Sequence, residues 1–175
     1  MTVWHIDPAH TDVGFSVKHM MVSKVKGSFV GIQGQVEGDP LKLEDAKISL
    51  EIDPSTINTN QEARDDHLRS EDFFHVEEHP TIAFKSTEIK ETKEDEYNVT
   101  GDLTVKGVTK PTTFRLERTG NGVMPSGLEV VGFEGTTSIS RKEFGLTWNQ
   151  ALETGGVLVG DDININVDVQ VNPAK

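Results

Sequence analysis

Asp162-Ile163-Asn164-Ile165-Asn166-Val167-Asp168-Val169-Gln170-Val171 is the stretch whose reading decides the fold. Apolar and polar residues alternate without a break. Successive side chains of a strand point to opposite faces, so this is a strand with one dry side and one wet side. The same pattern recurs along the chain. Ala46, Ile48, Leu50 and Ile52 alternate with Lys47, Ser49, Glu51 and Asp53. Tyr97, Val99, Leu103 and Val105 share one face of the next clear strand, and Phe114 and Leu116 one face of another. Val13, Phe15 and Val17 precede them, as do Val30, Ile32 and Val36, then Ile82 and Phe84. A longer strand over 128–140 puts Val131, Phe133 and Ile139 together. Eight strands are predicted.

Turn residues separate them: Gly38-Asp39-Pro40, Lys106-Gly107 and Gly120-Asn121-Gly122. Alternation with short turns argues for antiparallel neighbours. Eight such strands can close into a barrel and leave no edge, although a two-sheet sandwich buries the same pattern. Thr59-Asn60-Gln61-Glu62 matches a capping box, and the stretch 63–74 after it carries Leu68, Phe73 and Phe74 among charges. A short helix is predicted there, inserted between strands. The fold class is therefore all-β: one domain over 1–175, an antiparallel barrel with a helical insertion.

Composition agrees. Hydrophobic residues make up 34% of the 175 residues, low for a compact protein but sufficient when each strand needs one apolar face. A net charge of −12 repels phosphate backbones and anionic lipid, which argues against nucleic acid and membrane surfaces as partners. The absence of cysteine removes disulfides and thiolate chemistry. The N-terminus has no basic and apolar leader pattern, and no run reaches the roughly 18 apolar residues of a spanning helix. These features together predict a cytoplasmic protein with no stable membrane insertion.

His75-Val76-Glu77-Glu78-His79 matches the H-x-x-E-H pattern of a zinc peptidase class. That chemistry needs both histidines on one helical face, and Pro80 follows at once, disfavouring the α region before it. The match is read as a coincidence, and neither a metal nor a cofactor is expected. Asn98-Val99-Thr100 is a glycosylation sequon inside a strand and is set aside. His19 continues the inward parity of Phe15 and Val17. It is either a rim histidine bonded to backbone or a contact for a ligand head group. Arg141 shares parity with Phe133 and Ile139. Either it points inward and needs a partner, such as Glu143 or a polar ligand, or a bulge turns it outward. Arg64, Asp65 and Asp66 are read as part of a solvated helix face, with ion pairs to the barrel rim as the alternative. No nucleophile elbow and no phosphate loop is present.

Several stretches, taken in order, form a recognisable set. They are Trp4-His5-Ile6-Asp7-Pro8-Ala9-His10-Thr11, Val13-Gly14-Phe15-Ser16-Val17-Lys18-His19-Met20, Arg64-Asp65-Asp66-His67-Leu68-Arg69-Ser70 and Asp72-Phe73-Phe74. Gly101-Asp102-Leu103-Thr104-Val105-Lys106-Gly107-Val108-Thr109 and Ser140-Arg141-Lys142-Glu143-Phe144-Gly145-Leu146 follow, with Trp148-Asn149 after them. Over nearly the whole chain the sequence resembles the YceI-like family of polyisoprenoid-binding proteins. The resemblance implies an extended, lipocalin-like eight-stranded barrel that holds a long isoprenoid or fatty chain in its lumen. Many members are exported and dimeric, so a homodimer is implied too. This chain is expected to depart from the family in having no leader, and it carries His75 and His79 where an acid and an aromatic residue are expected.

The ligand-binding candidates are Phe15, Val17, His19, Ile52, Leu68, Phe73, Phe84, Leu103, Phe114, Phe133, Ile139, Arg141, Phe144 and Trp148. Phe29 is the weakest further candidate, because it alternates against Val30 and Ile32. Each buried CH2 is worth roughly 0.8 kcal/mol, so a chain of about fifteen gives about 12 kcal/mol against an association cost of about 4 to 15. Long chains bind usefully and short ones do not. Two rival functions remain: a metal-dependent hydrolase using His67, His75 and His79, and a stress-linked scaffold in which the same side chains fill a solid core.

Overall fold

The computed structural model describes residues 2–19, 22–146 and 159–174. Among them lie eleven strand segments. These are β1 (Val3–Ile6), β2 (Asp12–His19), β3 (Ser23–Phe29), β4 (Ile32–Glu37), β5 (Lys47–Ile52), β6 (Ile57–Asn58), β7 (Ile82–Lys93), β8 (Glu96–Val105), β9 (Val108–Val123), β10 (Glu129–Ser140) and β11 (Val159–Pro173). One α-helix, α1 (Glu62–Arg69), sits between β6 and β7.

Three pairs of segments are single staves broken by a kink: β1 with β2, β3 with β4, and β5 with β6. Two kinks are built alike. Asp7 and Asp53 each precede a proline, and each carboxylate accepts from the amide two residues on, at 3.0 and 2.9 Å. A short 3-10 turn follows in both cases. The Thr56 hydroxyl accepts from the Gly31 amide at 3.0 Å, which ties the third kink to the second. Eleven segments thus make the eight staves of an antiparallel barrel. It closes because β1 pairs with both β4 and β11, which excludes the sandwich. Towards the other end, β2 takes over the pairing with β11, and β3 pairs with β2. There β6 pairs only with β3 among the described residues, and α1 packs against it.

The period-two faces hold. Val167 and Val171 are buried while Asn166 and Asp168 are exposed, and Tyr97, Val99, Leu103 and Val105 are buried together. Several local expectations are corrected. Val30 is exposed, because the kink at Val30-Gly31 reverses parity and leaves Phe29 inside. Gly120-Asn121-Gly122 lies within β9, and the turn falls at 124–128. The β8–β9 hairpin turns on Lys106-Gly107, both at positive φ, as a two-residue loop of this type requires.

The capping box is not formed. Gln61 occupies the N-cap without a side-chain bond. Thr59 instead donates from its amide and hydroxyl to the Asp65 carboxylate, at 2.9 and 2.5 Å. Asp65 is consequently buried, not solvated. The helix stops at Arg69, and the residues after it run on in turns.

Candidate functional site: an apolar lumen in two chambers

Under α1 the barrel encloses a cavity of about 260 Å³ with an almost wholly apolar wall. Phe15, Val17, Ile52, Leu68, Phe73, Phe84, Leu103, Phe114, Ile139 and Arg141 all line it. A second apolar chamber of about 90 Å³ lies beyond, and Phe133 belongs to that one. Phe144 is buried in the core and lines neither chamber. β2 ends on His19, whose side chain lies outside the described residues, as does Trp148.

The two chambers share Leu50, Phe84, Phe114 and Val167, one residue each from β5, β7, β9 and β11. Phe84 and Phe114 meet edge to face at 5.1 Å. The Phe84 ring fits because Gly101 faces it from β8: a Cβ there would lie 2.7 Å from Phe84 Cζ. The lumen therefore has an aromatic partition across its waist.

Polar groups gather at the α1 end, where Lys18, Arg64, His67 and Arg141 reach the large cavity. Arg64 holds the helix start, donating to the Thr59 hydroxyl and carbonyl at 2.8 Å each. His67 pairs with Asp72 at 2.9 Å and meets Phe73 edge to face. Arg141 is 2% exposed and points inward. Glu143, a candidate partner in the sequence, is exposed, and backbone carbonyls are among the groups that Arg141 bonds. Nε donates to the Gly160 carbonyl at 2.7 Å, and the two Nη groups to Leu146 and Val159. Burial pushes its pKa down from the ordinary arginine value, and Asp161 opposes that. This residue joins the end of β10 to the start of β11.

Pro80 disfavours the α region before it, yet a turn closes across His75 to His79. The His75 carbonyl accepts from the amides of Glu78 at 3.1 Å and His79 at 2.9 Å, so one helical turn forms before the proline. His75, Glu78 and His79 are brought together, whereas His67 stands outside that group.

Sequence reasoning missed Phe74, which faces the cavity and meets Phe29 edge to face at 6.0 Å. Phe29, the weakest of the sequence candidates, also lines that wall, whereas Arg118 at the opposite end was missed. Arg118 donates to Asp95, to the Tyr97 hydroxyl at 3.1 Å and to the Pro40 carbonyl at 3.3 Å. The Gly31 kink was the available signal for Phe29. Arg118 carries no local signal, because its partners come from β8 and from distant turns.

A closed antiparallel barrel around an apolar internal cavity defines a lipocalin-like protein. A model of the YceI-like domain matches residues 4–171, and the chain belongs to that family. A UPF0312 protein of Staphylococcus aureus (strain USA300) is 43% identical over 171 residues, covering 97% of each chain. The crystal structure of Burkholderia cenocepacia BcnA matches with a TM-score of 0.82 at 25% identity, over 94% of this chain and 98% of that one. A Campylobacter jejuni YceI protein matches with a TM-score of 0.77 at 32% identity, over 97% and 96%. A polyisoprenoid-binding domain from Saccharophagus degradans shares the fold at 11% identity, with a TM-score of 0.69 over 98% of both chains.

Proposed function

We propose that the protein is a carrier that holds one long apolar chain, an isoprenoid or a similar lipid, inside the barrel. The observation that carries this reading is the apolar cavity of about 260 Å³. An apolar void of about 150 Å³ already takes up benzene, so this one has room for more than a single ring. A void of that size leaves wall atoms without packing partners, and an apolar occupant supplies them. The Saccharophagus degradans domain of the same fold is described as polyisoprenoid-binding, which supports an isoprenoid as occupant. Binding is favoured over catalysis because the wall offers contacts and few reactive groups.

A series of prenyl alcohols tests the proposal. Affinity should rise with chain length by up to about fourfold per CH2, from roughly 0.8 kcal/mol each. Val17→Trp, placed in the cavity wall, should shorten the longest chain accepted while leaving stability near wild type. In a solid core the same change would cost about 1 to 3 kcal/mol by overpacking. A flat affinity profile with a destabilised variant would refute the carrier and favour the filled scaffold.

A further inference from the structure

The turn after α1 groups three side chains of the kind that hold transition metals. We infer that His75, Glu78 and His79 form a divalent transition-metal site, zinc or a metal of similar ligand preference, on the rim beside the lumen. One donor atom from each of the three lies within 4.8 Å of the other two. His75 Nδ1 and Glu78 Oε2 stand 3.8 Å apart, and the two imidazole rings have centroids 5.9 Å apart.

Tetrahedral zinc with bonds of about 2.0–2.1 Å places its donors roughly 3.3 Å apart. The three groups therefore need to close in by an ångström or so. Glu78 is 71% exposed, so its side chain is free to swing inward. Two neutral imidazoles and one carboxylate are a familiar donor set for zinc, with water in the fourth position.

The backbone holds this arrangement before any metal arrives. His75 sits at φ 48°, a conformation unusual for a residue with a Cβ. Its amide donates to the Ser70 carbonyl at 2.9 Å, and the Val76 amide donates to Arg69 at 3.1 Å. Both bonds anchor the turn to the end of α1. Across from it, the His79 ring rests on the β8–β9 turn. A Cβ on Gly107 would come within 2.9 Å of His79 Cε1, so the glycine leaves that ring its seat. Pro80 limits the chain immediately after the last ligand.

The site lies on the segment that bears Phe73 and Phe74, both of which face the cavity. A metal bound there fastens the far end of that segment. This role is structural and does not depend on what the lumen carries.

The test uses full-length protein without a polyhistidine tag, stripped by chelator and titrated with Zn2+ alone in a calorimeter. Saturation at one equivalent is expected, and it should be lost in the double variant His75→Ala/His79→Ala. Glu78→Gln should keep one equivalent with about tenfold weaker affinity. The chelator-treated double variant should unfold at the urea midpoint of chelator-treated wild type, which separates a lost site from a lost fold. Hydrogen exchange gives the location: zinc should protect amides of residues 73–79 in the wild type. The absence of saturable binding overturns the inference, as does zinc binding that survives in the double variant or protection that falls elsewhere.

Discussion

Arg141 and Asp161 show how single residues hold the mouth of the barrel. Ser140 Oγ donates to Asp161 Oδ2 at 2.6 Å, and the Lys142 amide donates to Oδ1 at 3.2 Å. The Ser140 bond does most to hold the Asp161 carboxyl below its usual range. Burial works against it, and the Lys142 amide with the Lys142 and Arg141 charges adds to it. A carboxyl depressed in the folded state stabilises above its unfolded pKa and loses that contribution as pH falls through the folded value. Asp161→Asn should therefore cost about 1 kcal/mol at pH 7, and the difference from wild type should shrink towards pH 3. Urea titrations at the two pH values check this. A difference that stays constant would assign the loss to packing. Asp7, depressed chiefly by its bond to His10, is present in both proteins and cancels in the comparison.

At the scale of the element, β11 is the stave on which closure depends. It pairs with β10 along most of its length, with β2 over 159–168 and with β1 over 171–173. Its two faces meet different surroundings. Ile165 lies opposite Phe15 and lines the large cavity, while Asn166 lies opposite Gly14 and is exposed. Ile165→Asp should cost about 2 to 4 kcal/mol by placing an unpaired carboxylate in the apolar wall. Asn166→Asp should change stability by about 0.5 kcal/mol or less. Equal urea midpoints for the two variants would contradict this register.

For the whole molecule, the carrier reading proposed above predicts that the Phe84–Phe114 contact limits the length of chain the barrel takes. With Phe84 and Phe114 in contact, an occupant of the large chamber would end at the waist. A longer chain has to turn those rings aside to enter the second chamber of about 90 Å³. Phe84→Ala removes the partition. It should lengthen the longest prenyl alcohol bound and cost about 3 kcal/mol in stability. Competition binding with the prenyl series, alongside thermal unfolding, checks both effects. An unchanged length limit with the expected loss of stability would mean that the ring only packs.

Strand identity, facing and antiparallel order were legible in the sequence because side-chain parity is a local property: each strand declares its dry face within a few residues. The same parity placed Phe15, Val17, Leu103 and Ile139 on the cavity wall, since these strands run straight through it. The Val30-Gly31 kink, the closing pair β1–β11 and the partners of Arg141 were decided by the tertiary structure. Each takes a group from far along the chain, Thr56 at the kink, Asn172 and its neighbours at β1, and Val159 and Gly160 at Arg141, so a local period does not complete them. The partition belongs here too, because Leu50, Phe84, Phe114 and Val167 meet only when the staves close around one axis. The turn at His75 is the clearest case. Pro80 predicts a break locally, yet the anchoring bonds to Arg69 and Ser70 complete one helical turn before it. Local patterns determined which residues face inward, and closure of the barrel decided which of them meet and what space they leave between them.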